Sequence, residues 1–335
     1  MRERMAYLHF PKAAGTSVRA AFAAYYTTEQ TVPWSFDRML FGAFERLDEV
    51  REPVFLGTAE QLQGYDYMEG HWSLPTILDA FVPADVVCVV REPRARLLSH
   101  YTFWRSWPQW MHDLWEPYPA AKHAQRPLSE FLSDPAAAHQ ADNLTTRLLL
   151  GRHPLAPLDG FIADPAAAAA VACARVDSLG YADVLERGDQ MYAGLEAWFG
   201  SPLSRERLNE TDLSDGEPVD VADFTNRATM ELVHARTAAD RVVWAHVAGL
   251  RGLDAGAAAD LADSVFAASV GRITAEHAVA AVVTTGSTTD EAAKVVEPVE
   301  TTGTTGTTRG FATRLVGFVR RGPRAWIARA RRLLA

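Results

Sequence analysis

Short continuous apolar runs alternate with stretches of three- and four-residue hydrophobic periodicity along about the first 250 residues. The runs predict strands at Ala6–Phe10, Val54–Gly57 and Val86–Val90, and a short segment at Tyr67-Met68-Glu69 leads into His71. The periodic stretches predict helices over Ser17–Tyr26, after His71, from Pro93, and near Leu128–Leu132, Asp142–Leu150 and Pro165–Cys173. A short strand near Ser178–Tyr181 precedes a helix over Ala182–Phe199, and the last helices run near Val221–Ala235 and Ala238–Leu250. Strands alternating with helices predict an α/β fold, a parallel sheet covered by helices on both faces. In such sheets ligands bind outside the carboxyl ends of the strands, where Lys12, His71 and Arg91 all fall.

Two of those strand ends hold loops suited to anions. In Tyr7-Leu8-His9-Phe10-Pro11-Lys12-Ala13-Ala14-Gly15-Thr16-Ser17 an apolar run feeds a turn with a Lys, a Gly and two hydroxyls, and a helix follows. Backbone N–H groups converge at such a helix start, and its dipole favours negative charge. Lys12 precedes Gly15 and no Gly stands upstream in the loop, so the Walker order Gly-x-x-x-x-Gly-Lys-Ser/Thr is not met. In the second loop the Val86–Val90 strand ends in Arg91-Glu92-Pro93, with Pro93 suited to a first helical position. Arg96, Ser99 and His100 then share a helix face by spacing. Two anion loops imply a ligand with two separate phosphate-type groups.

Pro11-Lys12-x-Ala14-Gly15-Thr16-Ser17 resembles the 5′-phosphosulfate loop of sulfotransferases that use 3′-phosphoadenosine 5′-phosphosulfate. Arg91-Glu92-Pro93-x-x-Arg96-x-x-Ser99-x-Tyr101 resembles their 3′-phosphate loop. The branch resembled is that of the carbohydrate enzymes of heparan-sulfate 2-O and 6-O type and their bacterial relatives. Gly70-His71-Trp72, Asn143-Leu144-Thr145-Thr146-Arg147-Leu148-Leu149 and Leu208-Asn209-Glu210-Thr211 are similar to further segments of that branch, in its order. The resemblance covers roughly residues 5 to 250. It implies a P-loop-like fold, donor contacts from Pro11, Lys12, Ala14, Gly15, Thr16, Ser17, Arg91 and Ser99, and sulfuryl transfer to a hydroxyl-bearing acceptor, a glycan or glycolipid. The transfer needs no metal. By analogy with phosphoryl transfer it consists of positioning and charge stabilisation.

The acceptor hydroxyl must lose its proton. His71 is the expected base, with Glu60 and Glu69 in reserve; His9 reads as a strand residue and His100 as a helix-face residue. Phe103, Trp104, Trp107, Trp110 and Trp115 crowd the stretch after the second loop, and Trp104 and Trp107 are candidate stacking platforms for the acceptor. Asn143 and Arg147 share a helix face and are further acceptor candidates. The alternatives to a sulfotransferase are a P-loop-like transferase with another nucleotide donor and a nucleotide-binding or membrane-adaptor protein without turnover.

Composition bounds these readings. At 335 residues and 48% hydrophobic, the chain can bury one large α/β core with an appendage. The two cysteines suggest no disulfide framework, and a start directly in the first strand with no long apolar run predicts a cytoplasmic protein. Of 33 basic and 42 acidic side chains, eight Arg fall in 309–335, leaving 25 against 42, or −17, over 1–308. That acidic body argues against nucleic acid as a partner. Four regions are expected: a catalytic domain over 1–250, an Ala-rich helical extension over 251–283, a disordered linker over 284–308 with ten Thr in 25 residues, and a basic tail over 309–335. The tail mixes Arg with Leu, Phe and Trp, a composition suited to peripheral contact with an anionic membrane.

Overall fold

A computed structural model describes residues 1–13, 15–50, 53–107, 109–206 and 220–286. Expectations for Ala14, for Leu208-Asn209-Glu210-Thr211, for most of the linker and for the basic tail lie outside those residues. The strands are β1 (Met5–His9), β2 (Phe36–Asp37), β3 (Val54–Phe55), β4 (Tyr67–Gly70), β5 (Val86–Val90) and β6 (Tyr181–Val184). The helices begin with α1 (Gly15–Ala23), α2 (Leu47–Val50), α3 (Leu74–Leu78), α4 (Pro93–Arg105), α5 (Gln109–Leu114), α6 (Ala120–His123) and α7 (Leu128–Ser133). They continue with α8 (Ala138–Ala141), α9 (Leu144–Leu150), α10 (Pro165–Asp177), α11 (Asp189–Phe199), α12 (Arg227–Arg236), α13 (Ala238–Leu250) and α14 (Ala255–Gly286).

The main sheet is parallel, in the order β4-β1-β5-β6. Every residue of β1, β5 and β6 is buried, and the period of two divides them between two cores. Ala6, Leu8, Met68, Val86, Cys88 and Val90 join the larger core with Leu97, Leu98, Val243 and Val247. Met5, Tyr7, Tyr67, Val87 and Val89 join the smaller one with Val18 and Phe22 of α1 and Met191, Leu195 and Phe199 of α11. Helices on both faces are therefore what unbroken apolar strands require. Among the described residues no helix is long and apolar enough to cross a membrane.

Three sequence expectations need correction. The segment at Val54 does not enter the main sheet; Val54–Phe55 pairs with Phe36–Asp37 in a separate two-stranded sheet. The strand expected near Ser178–Tyr181 lies at Tyr181–Val184, and the following helix starts at Asp189 rather than Ala182. Asp183 disguised that strand, since a buried carboxylate is not expected in one. Its oxygens accept from Tyr181 Oη (2.6 Å), Val184 N (2.7 Å) and Arg187 Nη1 (2.8 Å), which makes its burial tolerable. The helix expected over Val221–Ala235 breaks after a short turn, because the Asn226 side chain caps α12 by accepting from Ala228 N and Thr229 N.

Candidate functional site

The carboxyl ends of β4, β1 and β5 stand side by side, so His71, Lys12 and Arg91 follow three neighbouring strands. Lys12 adopts a left-handed backbone (φ 64°). Its carbonyl accepts a hydrogen bond from Arg91 Nη1 at 3.0 Å, which ties the first loop to the second. The Lys12 ammonium lies 4.1 Å from the centre of the Phe103 ring. Burial, then Arg91, then Arg272 push Lys12 down from the ordinary 10.5 to about 7. Burial also lowers Arg91. Burial and the neighbouring cations all disfavour the charged form of Lys12.

Helix α1 begins at Gly15, just after the first loop, with Thr16 and Ser17 half-buried in its first turn, whose N–H groups have no partner within the helix. Gly15 is required for a reason the sequence did not display. A Cβ there would fall 1.5 Å from Nε2 of His9, so the imidazole lies directly on the glycine. His9 is therefore central to the site rather than a bystander in the strand: its ring centre is 4.3 Å from that of His71.

His71 is aimed by backbone contacts. Its N–H donates to Ser35 O (2.8 Å), its carbonyl accepts from Asp37 N (3.0 Å), and the Phe36 ring stacks on the imidazole at 5.5 Å. Gly70 before it has φ 130°, and a Cβ there would meet Ser35 O at 2.4 Å. Nδ1 of His71 lies 2.9 Å from His9 O. A carbonyl only accepts, so Nδ1 carries the proton and Nε2 keeps its lone pair. Burial pushes His71 down to about 4, against the opposing effect of that backbone bond, so the ring is neutral at neutral pH.

Helix α4 supplies the other wall. Glu92 caps it by accepting from Ala95 N (2.7 Å), and Pro93 opens it as expected. Ser99 is buried in its second turn. Arg96 is fully buried, and all three of its guanidinium nitrogens have no hydrogen-bond partner. Buried donors are normally satisfied, and an unmatched guanidinium is costly, so this side chain is suited to an anion. Burial lowers its pKa, with Asp240 and Glu92 opposing the shift and Arg91 adding to it. His100, one turn on, is held well below its ordinary value by burial and then by Arg96, Lys12 and His71, so its ring is neutral beside these cations.

Several expected contacts take other roles. Trp104 is 5% exposed and packs on His100 (4.2 Å between ring centres) and Phe131 (6.3 Å), inside the core rather than facing an acceptor. Trp107 is half-buried, edge-on to Phe103 at 5.8 Å, and remains near the Lys12 side of the site. Asn143 is wholly buried; its side-chain oxygen accepts from Ala239 N (2.8 Å) and Asp240 N (3.2 Å), capping α13. Arg147 pairs with Asp142 at 2.7 Å and donates to Gly160 O at 2.8 Å. Both residues therefore hold the fold together. Glu60 is exposed on a separate turn, and Glu69 is paired with Arg19 at 3.4 Å, so neither stands where His71 does.

A surface groove of about 740 Å³ is lined by Tyr181, Arg187, Trp198, Leu250 and Arg251 among others, and by none of the residues of the strand-end site. Among the described residues no group of three or more His, Cys, Asp or Glu side chains is arranged to hold a metal ion. Comparison with protein-family models, curated proteins and solved structures finds no match to the chain.

Proposed function

We propose that the chain is a P-loop-like sulfotransferase that takes a sulfuryl group from 3′-phosphoadenosine 5′-phosphosulfate and passes it to a hydroxyl of a carbohydrate or glycolipid acceptor. The observation that carries this reading is the Arg91–Lys12 bond, which joins two cationic loops beside a neutral imidazole with an available Nε2. The residue chemistry fits the donor: Lys12 and the first-turn N–H groups of α1 suit its 5′-phosphosulfate, while Arg91, Arg96 and Ser99 suit its 3′-phosphate. Arg96 in particular has donors in need of an anion.

In this mechanism Lys12 and the α1 N–H groups offset the charge that builds on the leaving 5′-phosphate. His71 accepts the acceptor's hydroxyl proton at Nε2, while its Nδ1–H stays on the His9 carbonyl. A bound anion beside the ring raises the low basicity that burial imposes, bringing His71 closer to working pH. Half-buried Phe36, Phe103, Trp107 and Trp115 surround the base and Lys12, and they replace Trp104 as the apolar faces for a sugar ring.

Thermal unfolding with nucleotide present tests the reading. At about 100 times its dissociation constant, 3′-phosphoadenosine 5′-phosphate adds about 2.7 kcal/mol, and ATP much less. Equal stabilisation by ATP would overturn the assignment and favour another nucleotide donor.

A further inference from the structure

The surface groove apart from the strand-end site lies along the open edge of the main sheet. Strand β6 ends the order β4-β1-β5-β6, so one side of it has no neighbouring strand. The groove beside it holds about 740 Å³, a volume that suits a small organic molecule. Its walls are Tyr181 of β6, Arg187 from the turn after that strand, Trp198 of α11, and Leu250 and Arg251 at the end of α13. Small residues of α11 keep it open: Ala197 is exposed, and a Cβ at Gly194 would fall 1.8 Å from Tyr181 Oη. An added strand is a poor occupant, because side chains already take outward backbone groups of β6. Arg251 Nε donates to Ala182 O at 2.6 Å, and Val184 N donates to Asp183 Oδ1 at 2.7 Å.

We infer that this groove is a second binding site, for a small organic oxyanion: a phosphate or carboxylate carried on a flat ring. The site stands whether or not the donor assignment holds. Two guanidiniums line the groove and no carboxylate does, although residues 1–308 hold 25 basic against 42 acidic side chains. The Arg251 guanidinium lies 4.1 Å over the Tyr181 ring, held there by its bond to Ala182 O. Beyond those two contacts it makes no hydrogen bond or ion pair with the described residues, so both terminal nitrogens remain for a ligand. Arg187 gives Nη1 to Asp183 Oδ2 at 2.8 Å, and its Nη2 has no partner among the described residues. The buried Asp183 carboxylate also holds Tyr181 Oη and Val184 N, so it offsets Arg187 and leaves Arg251 unpaired. A planar fork of free N–H donors matches the paired oxygens of a phosphate or carboxylate. Trp198 and the exposed Leu250 add aromatic and apolar surface for the body that carries it.

The probes are phenyl phosphate and benzoate, with benzyl alcohol as the uncharged comparison, each titrated into the full-length protein. The indole N–H resonance of Trp198, assigned with Trp198→Phe, reports occupancy of the groove. At least one of the two anions is expected to shift it with a dissociation constant of about 1 mM or below, and the better of them names the oxyanion. Benzyl alcohol is expected to bind at least about tenfold more weakly. Arg251→Gln removes the free charge and is expected to weaken the anion about tenfold. Leu250→Glu sets a carboxylate at the mouth from an exposed position, so it spares the fold and is expected to weaken the anion by a similar factor. A Trp198 resonance unmoved by either anion at about 10 mM overturns the site. So does equal binding of benzyl alcohol, or an anion affinity at Trp198 that is the same in wild type and Leu250→Glu.

Discussion

At the scale of single residues, two side chains set the proposed chemistry. The His9 carbonyl fixes the His71 tautomer, so Nε2 is the atom that accepts a proton. Substituting His71→Ala is expected to cut labelled-donor turnover by roughly 10² to 10⁴-fold at saturating acceptor while leaving donor affinity nearly intact. Turnover close to wild type would remove His71 from the role of base. Lys12 makes donor binding pH-dependent. Without ligand it titrates near 7. An anion beside it raises that value, so binding takes up a proton above pH 7 and affinity falls as pH rises, by at most about tenfold per unit. Calorimetry in buffers of different ionisation enthalpy measures the proton uptake, and a pH-independent affinity would contradict it. The effect on stability has the opposite slope: the unfolded chain binds more protons between about 7 and 10.5, so the ligand-free fold gains stability as pH rises through that window.

At the scale of elements, the turn from β1 into α1 is organised around one close contact. His9 leaves the strand end and lies on Gly15, where no side chain fits. Gly15→Ala should therefore displace the imidazole, cost about 1 to 3 kcal/mol in chemical unfolding, and weaken bisphosphate binding. The double variant His9→Ala/Gly15→Ala vacates the space and should recover most of the lost stability. If it does not, the glycine serves the backbone of the turn rather than the ring. The short strand at Phe36–Asp37 does comparable work for His71. It gives the base its backbone partners through Ser35 and Asp37, from a segment more than thirty residues upstream.

At the scale of the molecule, the polar centre around Asp142 joins the helical half together. Asp142 takes Arg147 Nη2 at 2.7 Å and Ile162 N at 2.9 Å, with Arg236 at 3.8 Å, while Asn143 next to it caps α13. All of this is buried, so removing one charge strands another. Asp142→Ala should destabilise the protein by about 3 to 5 kcal/mol in chemical unfolding. A loss below about 1 kcal/mol would show that Arg147 is readily released, and would return it to the acceptor site.

The sequence by itself determined the two central strands, β1 and β5, and the loops that follow them. An unbroken apolar run such as Val86–Val90, ended by Arg91-Glu92-Pro93, reads as a strand covered on both faces, and Lys12 and Arg91 follow from their place after such runs. Local chemistry also announced Pro93 at a helix start. What the tertiary structure alone decided is which way side chains face and what lies opposite them. Trp104 and Trp107 are three residues apart on one stretch, yet one packs into the core and the other borders the site, a difference set by α7 and its Phe131. Asn143 and Arg147 read as ligand contacts because they share a helix face; only the positions of Asp142 and α13 assign them to the fold. Arg96 stood in the motif, but its unmatched donors become visible only when the helices around it are assembled. Arg94 and Asp263 meet at 2.9 Å from positions 169 residues apart in the chain. No local pattern encodes that meeting, because it is made by the packing of α14 against the start of α4.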